Sequence, residues 1–255
     1  LTTRISQLIG MPIEKALAAL PGHWSTVVAR VTKIALEKAL DGALLTLKDR
    51  KKDSSDKMHK LLAGLSGAAG GTFGIPALAV ELPVSATIML RSIADIARSE
   101  GERLEDFETK IACLEVFALS GGGVDNESAD TSYYAVRSFL TKSLGDTAKH
   151  IATKGLAKEG APALVKLVNA VSSRFSVRVS EKLAAQSVPA IGAIGGASVN
   201  LIFIYHYQEM ARAHFTVRRL ERQYGEEEVK KAYIEIIRCL NKPHKLHSLQ
   251  SGRLT

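Results

Sequence analysis

Two long stretches of the chain carry no charge, and the apolar pattern in each predicts a helix. Residues 183–205 contain no Asp, Glu, Lys or Arg, and a tail follows in which charged and apolar residues are mixed at helical spacing. Residues 61–80 are likewise uncharged and lead into a charged tail. We predict that residues 180–225 form one long helix, and that it packs against residues 61–102 at the centre of the molecule.

Apolar positions in the rest of the chain recur every three or four residues, which is the spacing of a helix with one buried face. Further helices are predicted within residues 1–20 (opened by Pro12), 23–48, 104–120, around Tyr133, 163–182 and 226–240. No convincing run alternates between apolar and polar residues. The prediction is therefore an all-α, single-domain bundle of roughly seven to nine helices around the two central ones. The domain would span residues 1–240, and a polar tail would follow at 241–255.

Glycines are frequent in the uncharged stretches, although each one destabilises an isolated helix by roughly 1 kcal/mol relative to alanine. Gly67 and Gly71 form a GxxxG pair, as do Gly70 and Gly74. Such spacing lets two helices approach closely, in a membrane or in a protein core. The stretches are long enough to cross a bilayer, but few leucines and several prolines weaken that interpretation. The composition favours a buried core over reversible insertion, and reversible insertion over a permanent span.

The charge balance favours anionic partners. Lys and Arg number 34 against 26 Asp and Glu, which gives a net charge of +8. A dense basic cluster follows the second uncharged stretch, and it suits an interfacial surface or anionic headgroups. The residues predicted to bind headgroups are Arg91, Arg212, Arg218, Arg219 and Arg222. Nucleic acid is not predicted as a partner, because aromatic residues make up only 5% of the chain and no reading motif accompanies the charge.

Two cysteines, Cys113 and Cys239, lie in apolar surroundings without CxxC spacing. This usage fits a reducing intracellular compartment. We expect a cytoplasmic protein, in one interpretation peripheral to the inner membrane. The sequence does not indicate an oligomeric state.

Ionisable residues inside the predicted central helices are the candidate site. Glu81 and Asp95 share one helix face by steps of three and four, and if the two segments pack side by side they are predicted to face His214, Arg218 or Arg91. Buried charges need partners, so the favoured interpretation is a structural network of ion pairs and hydrogen bonds. The candidate residues of this network are Glu81, Asp95, His206, Glu209 and His214.

The same five residues could instead bind a divalent metal, because they have suitable ligand chemistry. Di-iron bundles, however, use Glu-x-x-His pairs on two helices, whereas this chain has His206-x-x-Glu209 once and in reverse order. We favour no resident cofactor over a divalent metal. No GxSxG, GxGxxG after a strand or GxxxxGK[ST] motif is present, so no catalytic residue is predicted.

Several long strings resemble the EcsC family of bacterial proteins. They are GIPALAVELPVSATIMLRSIADIARSEGE, CLEVFAL, SYYAVRS and SRFSVRVSEKLAAQSVPAIGAIGGASVNLIFIYHYQEMARAHFTVRRLERQYG. The resemblance extends over roughly residues 20–235 in order. It implies a cytoplasmic or membrane-associated helical protein linked to an operon that also encodes an ABC transporter. It brings no agreed activity and no catalytic residues.

The leading functional hypothesis is a non-enzymatic helical protein at the cytoplasmic face of a membrane, which binds lipid or a membrane protein. The alternative is an enzymatic or metal-binding bundle that uses the buried acids and histidines. A third hypothesis is a lipid-sized cavity between the two glycine-rich segments.

Overall fold

The structure is a computed structural model that describes residues 1–46, 75–120, 129–144, 161–188 and 192–241. Within these ranges it contains helices and no strand, which confirms the all-α prediction. The nine helices of the described residues are α1 (Thr2–Ile9), α2 (Ile13–Ala18), α3 (Trp24–Thr46), α4 (Ile75–Ser99), α5 (Phe107–Leu119), α6 (Ala129–Leu144), α7 (Ala161–Gln186), α8 (Gly192–Tyr224) and α9 (Glu226–Asn241).

The amino-terminal segment forms two short helices, whereas one helix was predicted. Gly10 adopts a left-handed conformation with φ of 68° and ends α1. Pro12 stands immediately before α2, because a proline fits the start of a helix, where a backbone N–H has no partner. The helix that Pro12 was predicted to open is therefore present as α2, whereas α1, which ends at Gly10, was not predicted as a separate helix.

The predicted helix at residues 180–225 is also divided. Residues 180–186 complete α7, and α8 begins at Gly192. The sequence has Pro189 between the two helices, and proline disfavours helical geometry at the residue before it. Conversely, α4 continues through Pro83 without ending, and the Thr87 hydroxyl donates a hydrogen bond of 2.7 Å to the Pro83 carbonyl.

Several predictions concern parts of the chain outside the described residues. These are the GxxxG pairs within residues 61–74, the exposed turn predicted at residues 48–56, the first five residues of the loop predicted at 124–130, and the polar tail from residue 242. They stay predictions. The last two residues of that predicted loop, Ala129 and Asp130, belong to α6.

Helices α4 and α8 pack side by side, as the sequence predicted for the two uncharged segments. They run parallel, because three hydrogen bonds join residues that lie the same distance apart in sequence. The donors Gln208, Thr216 and Arg218 reach Ser92, Glu100 and Glu102, and each pair is separated by 116 residues. This fixed register places the carboxyl-terminal ends of both helices at the same end of the molecule.

The main core lies between these two helices and α3, α5, α6 and α7. At its centre is an aromatic cluster of Phe117, Phe175, Phe203 and Tyr207, with ring centroids 4.9–5.9 Å apart. A second, smaller core holds α1 and α2 against the end of α7 and the start of α8, through Ile5, Ile9 and Ile13. No helix among the described residues is both long and apolar enough to cross a membrane.

Candidate functional site

The common end of α4 and α8 is tied together by arginines and glutamates. Arg218 donates to both carboxylate oxygens of Glu102 at 2.9 and 3.2 Å, and Arg222 donates to the same carboxylate. Arg219 Nε lies 3.0 Å from Glu100 Oε2. Arg222 also donates to the Glu100 backbone carbonyl at 2.7 Å, which places positive charge at the carboxyl end of α4, where the helix dipole favours it.

These contacts change the interpretation of the basic cluster. Burial opposes ionisation of Glu102, but the hydrogen bonds from Arg218 and Thr109 and the charges of Arg218 and Arg222 together outweigh it, and they lower the pKa of the carboxyl below its ordinary value. The carboxylate is only 5% exposed. Three of the predicted headgroup-binding residues, Arg218, Arg219 and Arg222, are therefore engaged in holding helices together. Arg91 and Arg212 are exposed and form no ion pair with any residue that the structure describes.

The predicted pairing of Glu81 and Asp95 with His214 and Arg218 is not formed. Asp95 pairs with Arg98 on its own helix at 2.9 Å, and Glu81 accepts a hydrogen bond of 2.6 Å from Lys182 of α7. The parallel register explains the difference. It places Glu81 about 17 residues before the level of His214, which is roughly 26 Å of helix.

Lys182 is the partner that the sequence did not reveal. Its side chain is 1% exposed, and its ammonium group lies 5.2 Å from the centre of the Phe203 ring. The combination of an ion pair and a cation–π contact compensates the charge for its loss of water. Glu81 is thus partly buried and paired, as a structural network requires, but with a different helix.

His206 and Glu209 lie in separate contacts. His206 Nε2 is 2.6 Å from the Ser120 hydroxyl, and burial together with nearby Arg178 lowers the pKa of His206 to about 4. Glu209 pairs with Arg4 of α1 at 2.9 Å on the surface. The five predicted network residues therefore do not form one cluster. Within the described ranges, no group of three His, Cys, Asp or Glu side chains could hold a metal ion.

His214 is the predicted residue that lies in a true buried polar cluster. The ring is 0% exposed, and Nδ1 lies 3.0 Å from the hydroxyl of Tyr133 on α6. Nε2 faces the carboxyl group of Glu115 on α5, at 3.8 Å from Oε2. That distance is too long for a hydrogen bond. Among the described residues Nε2 has no hydrogen-bond partner.

A bidentate ion pair closes the cluster on the side of α6. Arg137 donates to both carboxylate oxygens of Glu221 at 2.6 and 3.0 Å, and more weakly to the Tyr133 hydroxyl at 3.4 Å. The Tyr134 hydroxyl also donates to Glu221, at 3.1 Å. Tyr233 of α9 packs against both tyrosine rings. Four helices, α5, α6, α8 and α9, therefore meet at this cluster.

Burial sets the protonation of the two groups that face each other. Burial raises the pKa of Glu115 to about 7, although Arg137 and Arg218 oppose the rise. Burial and the same two arginines lower the pKa of His214 well below its ordinary value of 6.5. His214 is therefore neutral near pH 7, and Glu115 is the group that exchanges a proton there.

The sequence carries a signal for Glu115, although Glu115 was not among the predicted site residues. It is the one acid in the apolar run IACLEVFAL, and α5 is buried on nearly every side. A charged residue in a helix that is apolar all round indicates a partner inside the core. Tyr133 and Arg137 gave no comparable signal, because they lie on a helix with an exposed face.

An exposed surface lies on the other side of α8, between α1 and α4. Leu201 and Tyr205 are 49% and 58% exposed, and Arg212 continues the same helical face. We call this the outer face. We group with it two neighbouring exposed residues. Leu8 of α1 is 39% exposed and lies one turn beyond the pair of Arg4 with Glu209, and Arg91 of α4 is exposed and lies, by the register, at the level of Tyr207.

Comparison with known proteins assigns the chain to a family. The model of the EcsC protein family matches residues 1–220, and the chain belongs to that family. The resemblance seen in the sequence is therefore confirmed. No curated protein and no solved structure matches the chain.

Proposed function

We propose that this protein binds the surface of an anionic membrane through the outer face, defined by Leu8, Leu201, Tyr205, Arg91 and Arg212. The observation that supports the proposal best is the exposure of Leu201 and Tyr205, one turn apart on α8 and without a covering helix among the described residues. An aliphatic side chain and a tyrosine beside arginines are typical of proteins that lie in the headgroup region.

Charge supports an anionic surface over a neutral one. The acids that border the outer face are already paired, Glu209 with Arg4 and Asp95 with Arg98. Arg91 and Arg212 keep their charges available, and the chain as a whole carries a net charge of +8. Each basic residue near an anionic membrane contributes about 1 kcal/mol to binding.

This surface differs from the one that the sequence suggested. The basic contribution comes from Arg91 and Arg212, because Arg218, Arg219 and Arg222 are engaged with Glu100 and Glu102. The apolar contribution comes from the outward side of α8, while the glycine-rich residues 61–74 lie outside the described part of the chain.

Co-sedimentation with vesicles tests the proposal. We expect binding to vesicles that contain phosphatidylglycerol and weaker binding to pure phosphatidylcholine. Replacing Leu201 and Tyr205 together with Ser should reduce the partition constant about tenfold, because apolar area no longer leaves water. The matched control replaces Val165 and Val177 of α7 with Ser, since each is also 49% exposed.

A second pair of variants isolates the charge. Replacing Arg91 and Arg212 with Gln should abolish the preference for anionic vesicles, whereas replacing Arg30 and Lys38 of α3 removes equal charge elsewhere and should preserve it. If both double variants lose the preference for anionic vesicles equally, the effect comes from net charge alone. Absence of binding to either vesicle type by the wild-type chain would refute the proposal.

A further inference from the structure

The buried cluster around His214 contains two groups that the fold holds face to face without a bond. Nε2 of His214 has no partner among the described residues, and the carboxyl of Glu115 lies 3.8 Å away. An unpartnered buried polar group costs about 1–3 kcal/mol. A small rotation of the Glu115 side chain would bring the two atoms within hydrogen-bond distance and remove this cost at Nε2.

We propose that Glu115, His214 and Tyr133 form a proton-binding site, in which one proton sets the direction of a hydrogen-bond relay from α5 through α8 to α6. The ligand of this site is a proton taken from solvent. Each member can reverse its role, because a carboxyl group, a neutral imidazole and a phenol can all donate or accept a hydrogen bond.

Without the proton, the relay runs toward Glu115. Arg137 donates to the Tyr133 oxygen, the Tyr133 hydroxyl donates to His214 Nδ1, and the Nε2–H group points at the Glu115 carboxylate. With the proton, the relay reverses. The Glu115 O–H donates to Nε2, and the ring carries its hydrogen on Nδ1, where it donates to the Tyr133 oxygen. Apart from the small rotation of the Glu115 side chain, the heavy atoms keep their places, and the histidine changes tautomer.

The charged and titratable groups around the site come from every element that packs on it. They are Cys113 on α5, Tyr134 and Arg137 on α6, Arg218 and Glu221 on α8, Lys230 and Tyr233 on α9, and Glu102 before α5. Arg137 and Arg218 are already bound to Glu221 and Glu102, so neither arginine is committed to Glu115. This balance leaves the carboxyl able to gain or lose a proton near neutral pH, in agreement with a pKa of about 7.

The relay crosses an interface between helices. Tyr133 and Arg137 attach α6 to α8, and Tyr233 joins α9 to the same tyrosines. A change in the direction of the relay therefore changes the hydrogen bonds at the contact between α5, α6, α8 and α9. The site gives this fold a means of responding to intracellular pH that is independent of the outer face.

Nitrogen NMR of the histidine rings tests the proposal on the intact chain. Between about pH 5.5 and 8.5, the proton on the wild-type His214 ring should move from Nδ1 to Nε2 as pH rises. The midpoint should agree with the titration of the Glu115 carboxyl carbon, measured in the same sample. His206 serves as the internal control, because its partner is Ser120 and its tautomer should stay constant.

The variant Glu115→Gln supplies the second arm. A glutamine amide can donate to Nε2 at every pH, so His214 should keep its hydrogen on Nδ1 across the range and the transition should disappear. If the wild-type ring keeps one tautomer throughout, or if the transition persists in the Gln variant, the proposal is wrong. The wild-type titration decides the question even if the variant fails to fold.

Discussion

Lys182 is a charged side chain that the fold buries almost completely, and its carboxylate partner among the described residues is Glu81. Breaking a buried ion pair by removing one partner is far more costly than breaking an exposed one, because the remaining charge stays out of water. The same helix, α4, carries an exposed pair of Asp95 with Arg98 for comparison. Comparing substitutions of Glu81 and Asp95 therefore isolates the effect of burial on stability, because both acids are ion-paired and both lie on α4.

We expect Glu81→Gln to lower the free energy of unfolding by about 2–3 kcal/mol, since Lys182 would lose its counter-charge. The value is below that for a fully buried pair because Glu81 keeps 22% exposure. Asp95→Asn should cost less than about 1 kcal/mol. Urea denaturation of both variants measures the difference, and equal costs would show that Lys182 finds another partner.

The raised pKa of Glu115 predicts an unusual dependence of stability on pH. Its folded pKa of about 7 is above the ordinary 4.5, so its contribution is fully present below pH 4.5 and is lost as pH rises through 7. The Glu115→Gln variant cannot lose a proton. Its free energy of unfolding relative to wild type should therefore increase by about 3 kcal/mol between these limits.

Denaturation curves at several pH values check this sign. Below pH 4.5 the difference between variant and wild type should be constant, and it should level off again above pH 7. His214 acts in the opposite direction, because its pKa is lowered by burial and its contribution is lost as pH falls below 6.5. A difference that does not change with pH would mean that Glu115 has an ordinary pKa.

At the scale of elements, the parallel arrangement of α4 and α8 decides which charges meet. Two parallel helices place equal dipole ends together, which is unfavourable unless opposite charges are added. Here Arg218, Arg219 and Arg222 place positive charge at the carboxyl ends of both helices. Glu100 and Glu102 form ion pairs with these arginines. The ion-pair cluster is therefore explained by the packing of the two helices without a bound ligand.

Glu102 is the central acid of this arrangement, because Thr109 of α5 also donates to it at 3.0 Å. We expect Glu102→Gln to destabilise the fold by about 2–4 kcal/mol, since two arginines lose a nearly buried counter-charge. Glu105→Gln is the matched control, because Glu105 is 83% exposed. Its cost should stay within about 0.5 kcal/mol. Thermal or urea denaturation measures the stability of both variants. If Glu102→Gln costs no more than Glu105→Gln, the ion pairs of Glu102 do not stabilise the contact between α4 and α8.

At the scale of the whole molecule, the described residues contain a main core and a smaller one under α1 and α2. A region with few buried apolar contacts opens at lower free energy than the rest of the protein. We therefore expect the amides of α1 and α2 to exchange with solvent faster than those of α5. Hydrogen exchange read by mass spectrometry measures the order.

Two variants separate local from global opening. Ile9→Ala should speed exchange in α1 and α2 but leave α5 unchanged, because Ile9 belongs to the small core. Leu36→Ala removes a residue of the main core and should lower global stability by about 2–5 kcal/mol, with faster exchange in every protected helix. If both variants instead speed exchange equally in α1, α2 and α5, the two cores unfold together.

The sequence determined the helices of this protein, because a period of three to four residues depends only on local geometry. The contact between α4 and α8 also followed, since the apolar faces of the two helices must be buried together. The division at Gly10 was missed because a glycine inside an apolar pattern permits a left-handed turn but does not require one.

Only the tertiary structure decided which charges became partners. Glu81 met Lys182 because α7 lies beside α4, and His214 met Glu115 and Tyr133 because α8 runs parallel to α4 and contacts α5. The sequence supplied the buried ionisable groups and the requirement that each be compensated. Direction and register between helices set the distances, and no local pattern encodes either of them, because they result from the packing of the whole core.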